Sequence, residues 1–140
     1  MGTRSLTFVY EESKSGEKPE AIINMYRQYD GYPSGHGAEL AEFLSSSKER
    51  YFNGMGCLAA SLIANFKQSP GGFYIHPVSQ KNCGQDYEYH IYNIDGEFKI
   101  EVSYCGCNMF GNSGDPEDVE FVFNGSLPEF IEFCKEKETA

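Results

Sequence analysis

The chain has no tryptophan, and its 11 basic residues, only three of them arginine, stand against 21 acidic ones, for a formal charge of −10 over 140 residues. A surface that tracks phosphates along nucleic acid needs clustered Lys and Arg, so duplex nucleic acid is excluded as a partner class. No apolar run approaches the ~20 residues that span a bilayer, and no membrane partner is expected. Residues 1–10 lack the basic-then-apolar order of a secretory signal, so a cytoplasmic location is expected. Cysteines are odd in number, at 57, 83, 105, 107 and 134. Their irregular spacing does not describe a disulfide framework and fits a reducing compartment. The Cys105-Gly106-Cys107 pair, even with Cys83, lacks the second spaced pair of a structural zinc site. No metal and no cofactor are expected, and the thiols read as small apolar groups. Internal repeats and low-complexity linkers are also missing.

What remains is a foldable alternation of periods. Residues 5–12, SLTFVYEE, alternate Leu6, Phe8 and Tyr10 against Thr7 and Val9, and AIINMYRQ (21–28) is β-rich again, which predicts an antiparallel pair across a polar loop. Pairing Glu12 near Glu20 brings Arg4 opposite residue 28, beside Arg27. Leu40, Phe43 and Leu44 fall at helical spacing. Met55, Leu58, Ala59, Leu62, Ile63 and Phe66 form a longer stripe at i, i+3, i+4, i+7, i+8 and i+11. GGFYIHP (71–77) predicts a short strand, and strands 87–94 and 97–104 flank Asp95-Gly96, a hairpin signal. A loop at 107–118 precedes strand 119–123. Ser126 with Glu129 three residues on makes a capping box, with Pro128 in the first turn, and opens a last helix whose inner stripe is Leu127, Phe130, Ile131 and Cys134. The expectation is one α+β domain over residues 1–140, an antiparallel sheet with helices packed on it, in the order β-β-α-α-β-β-β-β-α.

Chemistry concentrates in YRQYDGYPSGHG (26–37). Asp30-Gly31, Tyr32-Pro33, Gly35 and Gly37 make a turn without help from any ligand. That need does not account for Arg27, Tyr29, Tyr32 and His36 gathered there, because aromatics beside a guanidinium are a means of stacking on a base and gripping a phosphate. Gly54 and Gly56 precede the second helix, where backbone N–H groups favour an anion. Cys57, at the same helix start, pairs with His36 as nucleophile and base in an enzymatic alternative. His76 and His90 match no metal or catalytic spacing and read as sheet residues. The acidic cluster Asp115, Glu117, Asp118 and Glu120 lacks calcium-loop order and reads as a solvated turn.

MGTRSLT, followed some twenty residues later by YRQYDGYPSGHG and LAEFL, resembles a group of small proteins of tailed phages and related genomes. The shared pattern is an N-terminal G-T-R, a strand, a D-G-Y-P turn with one or two glycines, and a helix. Gly2, Thr3, Arg4, Asp30, Gly31, Tyr32, Pro33, Gly35 and Gly37 match it, over about the first 45 residues, with GMGCLAA and GGFY in support. The resemblance implies a phage origin, and so the host cytoplasm, more than it implies a mechanism. By analogy with small acidic phage proteins it implies a counter-defence sponge that sequesters a nucleotide-like or cyclic-nucleotide immune signal. The resulting expectation is a homo-oligomeric, non-enzymatic protein holding a small phosphorylated or nucleotide-like ligand. Arg4 and Arg27 supply charge, Tyr29 and Tyr32 stacking, and Asp30, His36, Gly54 and Gly56 polar contacts. Two alternatives stay open: a Cys57/His36 hydrolase acting on a small molecule, and an acidic inhibitor that mimics nucleic acid.

Overall fold

The computed structural model describes residues 3–50, 53–68, 70–80, 84–105 and 120–139. In chain order they form β1 (Ser5–Ser13), β2 (Ala21–Arg27), α1 (Ala38–Arg50), α2 (Met55–Phe66), β3 (Phe73–His76), β4 (Tyr87–Ile94), β5 (Glu97–Tyr104), β6 (Glu120–Ser126) and α3 (Leu127–Thr139). This is the α+β order expected from the periodicities. The predicted loop at 107–118, with Asp115, Glu117 and Asp118, lies outside the described residues, as do Cys83 and Cys107 of the metal reading and the side chain of Glu120.

Strand β1 is buried on both sides, by Leu6 and Phe8 on one and Ser5, Thr7 and Val9 on the other. It accordingly lies inside a six-stranded sheet of order β3-β2-β1-β4-β5-β6. One correction concerns strand direction. Four of the five neighbour pairs are antiparallel, but β1 and β4 run parallel, so the sheet is mixed. Strand period reveals which side chains share a face. It is silent on which edges of two separate hairpins will join.

The helices cover one face. Val9, Met25, Ile91, Ile100 and Val102 from the sheet meet Leu40, Leu44, Leu58, Leu62 and Phe130 from the helices in one core. Each such side chain, once buried, contributes about 1.5–3 kcal/mol. The opposite face carries Leu6, Phe8 and Tyr26, with Tyr10 and Ala21 against them. Asn24 reaches from that face to the β3–β4 connection, where its Nδ2 donates to the carbonyls of Pro77 at 3.1 Å and Gln80 at 2.8 Å. Local signals are realised as read. Ser126 N–H donates to Glu129 Oε1 at 2.9 Å and Glu129 N–H to Ser126 Oγ at 3.4 Å, closing the capping box. Asp95 and Gly96 take φ of 53° and 84°, both positive, as the tight β4–β5 turn requires.

Candidate functional site

The loop after β2 is fixed by backbone contacts before any ligand is considered. Asp30 sits at φ 56°, turning the chain. Gly31 N–H donates to Thr3 O at 2.9 Å, His36 N–H donates to Asp30 O at 2.8 Å, and Tyr89 Oη donates to Gly31 O at 2.7 Å. Pro33 opens a π-helical turn over Pro33–Gly37, and Ala38 N–H reaches back to Pro33 O. Such a wide turn places an extra residue within the ring, a device common at functional sites. Here it leaves His36 fully buried. Gly35 is required by close approach, since a Cβ there would lie 2.7 Å from Asp30 O and 3.0 Å from the Tyr32 ring. Gly35→Ala is expected to destabilise by about 1–3 kcal/mol through overpacking, read as a lower urea midpoint at unchanged m-value.

Arg27 ends β2 on the helix face and is 5% exposed. Its guanidinium carbon lies 5.2 Å from the centre of the Tyr29 ring, 5.9 Å from that of Phe66 and 5.0 Å from that of Phe73. Nη1 donates to Glu39 Oε2 at 3.0 Å and to His36 Nδ1 at 3.1 Å. A guanidinium only donates, so Nδ1 is the acceptor and His36 carries its proton on Nε2, which lies 2.7 Å from Thr7 Oγ1. Burial first, and then the adjacent Arg27 charge, lower the His36 pKa to about 3, and the ring is neutral at pH 7. Among the described residues, both side-chain hydrogen bonds of Arg27 are on Nη1, and Nε is buried with no hydrogen-bond partner. The ion pair is lopsided: the side chain of Arg27 is 6% exposed and that of Glu39 50%. The arginine is enclosed by its surroundings, while half of the glutamate side chain faces solvent.

Beside this guanidinium opens a cavity of about 600 Å³. Its rings come from Tyr29, Phe43, Phe66 and Phe73, its carboxylates from Glu39 and Glu42, and its neutral polar groups include Ser46, Asn65 and Gln68. Among the residues singled out in the sequence, it gathers Arg27 and Tyr29, with His36 packed behind Arg27 and its ring nitrogens committed. Tyr32 is turned to Asp30, whose Oδ1 accepts its hydroxyl at 3.2 Å, and neither lines the cavity.

Arg4 is not part of this arrangement. The register Ser5↔Arg27 does put position 4 opposite position 28, as expected, with a bulge between Val9 and Tyr10 absorbing the change of step further along. Yet Ser5, the partner of Arg27, shares its face, so Arg4 falls on the other. Its Nη1 is 3.0 Å from where a Cβ on Gly84 would stand. The expectation that both arginines grip one ligand is thereby corrected. Gly54, Gly56 and Cys57 are also elsewhere. They lie at the N-terminal end of α2, whereas Phe66, 5.2 Å from the His36 ring, closes its C-terminal end. The intervening helix spans about 14 Å. Cys57 and His36 therefore form no dyad, and the glycines offer no amides to this cavity.

Sequence reasoning missed Glu39, Glu42, Phe43, Asn65, Phe66 and Phe73 as wall residues. Phe43 and Phe66 belong to core stripes, and the two glutamates read as an ordinary solvated helix face. No family model, curated protein or solved structure matches the chain.

Proposed function

We propose that the chain binds, without turning over, a small nucleotide-like ligand that carries an anionic group. The supporting observation is Arg27, a buried guanidinium caged by three rings and bonded among the described residues through Nη1, in the wall of a ligand-sized cavity. The half-exposed Glu39 carboxylate occupies the position an incoming phosphate or carboxylate would take, and is displaced by it. Tyr29, Phe43 and Phe73 offer faces to a base, and Ser46, Asn65 and Gln68 offer groups to its polar edge. The separation of His36 from Cys57 favours holding over hydrolysis. A ligand held in this way is sequestered, which is the counter-defence role that the likeness of the N-terminal segment to tailed-phage proteins implies.

Calorimetric titration with a panel of mononucleotides, cyclic mononucleotides and cyclic dinucleotides tests the reading. At least one should bind the unmodified chain. Arg27→Met should weaken that ligand about 10- to 100-fold, the range set by a hydrogen bond to a charged group. Glu39→Gln should tighten it several-fold, because the internal competitor is neutral. An inert panel, or a ligand indifferent to Arg27→Met, sinks the proposal.

A further inference from the structure

On the sheet face away from the helices, four rings line up across β1 and β4. Phe8 and His90 stack at 5.1 Å, His90 and Tyr10 at 5.7 Å, and Tyr10 and Tyr92 at 4.4 Å, with interplanar angles of 6°, 26° and 13°. Tyr10 and Tyr92 also line a cavity of about 470 Å³, together with the apolar Pro19, Ala21 and Val78 and the polar Lys18, Glu20 and Ser79. That volume is within the range of small-molecule sites. None of these residues touches the Arg27 cavity, and the argument from here is independent of it.

Hydrogen bonding sets the polarity of this second cavity. Glu88 accepts from Gln85 Nε2 at 2.7 Å and from Cys105 Sγ at 3.6 Å, both at Oε2, while Oε1 lies 3.1 Å from His90 Nε2. Burial pushes the Glu88 pKa up, but the bonds from His90, Gln85 and Cys105 outweigh it and hold the pKa below its ordinary value. An ionised carboxylate only accepts, so His90 carries a proton on Nε2, and in the neutral ring Nδ1 is the acceptor. With the ring neutral, the Tyr10 hydroxyl donates to Nδ1, at 2.7 Å. The Tyr92 hydroxyl leans the same way, 3.5 Å from Glu101 Oε1. In that state each phenol directs its one proton to a protein acceptor. What remains to the two oxygens is acceptor capacity, part of it shared between the phenols themselves.

The lining charges of Lys18 and Glu20 are opposite in sign, whereas Glu88 and Glu101 set two carboxylates behind the phenols. A wall of π faces and oxygen acceptors, backed by negative charge, selects a planar donor that is itself positive. We infer that this cavity is a second binding site, for an amidinium or guanidinium group. The group stacks on the Tyr10–Tyr92 pair and donates its N–H bonds to the phenol oxygens. Such a group arrives either on a free small molecule or on an arginine side chain of a peptide, and the chemistry of recognition is the same.

The test is an NMR titration of the intact chain, following the Tyr10 and Tyr92 rings and the Val78 methyls. Benzamidinium probes the free cation, with neutral benzamide as its counterpart. Acetyl-Gly-Arg-Gly-amide probes the peptide-borne group, with the citrulline peptide as its counterpart. At least one cation should saturate these signals about tenfold more tightly than its neutral counterpart, and the better of the two identifies the source. Tyr92→Leu, which keeps apolar bulk at a half-exposed position, should weaken binding about 3- to 30-fold, the range of a cation–π contact. Tyr10→Phe, which keeps the ring and loses the oxygen, should weaken it several-fold, and Arg27→Met should leave it unchanged. The inference is overturned if neither cation saturates, if the neutral counterparts bind equally well, or if Tyr92→Leu has no effect in a folded chain.

Discussion

Acidification from pH 7 to pH 4 is expected to remove about 3 kcal/mol of stability through His36 alone. The ring is fully buried and neutral, with a folded-state pKa lowered to about 3 by burial and by Arg27. In the unfolded chain the same imidazole titrates near its ordinary value of about 6.5. Between these two values the unfolded chain binds a proton that the folded chain refuses. The stability contributed by the neutral ring is therefore fully present above about pH 6.5 and is lost progressively as the pH falls toward 3. Protonation has no structural remedy here, because Nδ1 already accepts from a guanidinium 3.1 Å away. Urea midpoints measured from pH 7 to pH 4 should fall steeply for the unmodified chain. In His36→Gln the slope should flatten by as much as one proton, about 1.4 kcal/mol per pH unit. Equal slopes in the two proteins would refute the assignment of a buried neutral ring.

Removing the Arg27 side chain should produce the other large effect, and two substitutions separate its causes. Arg27→Ala empties the space between Tyr29, Phe66 and Phe73 and leaves His36 Nδ1 without its donor. A loss of about 3 kcal/mol is expected from the cavity and the orphaned acceptor together. Arg27→Met keeps most of the apolar stem and forfeits mainly the hydrogen bonds, so about 1–2 kcal/mol should be lost. Glu39 limits the damage in both cases, because its half-exposed carboxylate turns to water once the partner is gone. The same substitution should leave a distinctive mark on acid sensitivity. Arg27 is one of the two causes holding the His36 pKa down, so Arg27→Met raises it toward the unfolded value. The protein should be less stable at pH 7 and yet lose less on acidification. Equilibrium denaturation at pH 7 and pH 4 reads both terms, and a larger acid loss in Arg27→Met would contradict the proximity of the two charges.

Much of the scaffold was legible in the sequence, because its signals are local. Met55, Leu58, Leu62 and Phe66 line the buried side of α2 as their spacing requires. Ser126 and Glu129 exchange their capping bonds, and Asp95-Gly96 turns β4 into β5. Even the β1–β2 register near Arg4 follows from a short connection between two strands of readable length. Each of these features depends on residues a few positions apart, whose geometry is set by the helical or extended repeat of a single element.

The candidate sites were decided by tertiary structure. Arg4 and Arg27 are near neighbours across a hairpin, and a single step of strand alternation sends one to the helix face and the other away from it. Glu39 and Phe66 reach Arg27 because α1 and α2 fold back over the strand that carries it. The row Phe8–His90–Tyr10–Tyr92, with Glu88 behind it, exists because β4 lies parallel to β1, a pairing made between residues some 80 positions apart. Periodicity along one element specifies which way a side chain points. Which residue of a distant element it then meets depends on how those elements pack, because the shared burial that joins them belongs to neither element by itself.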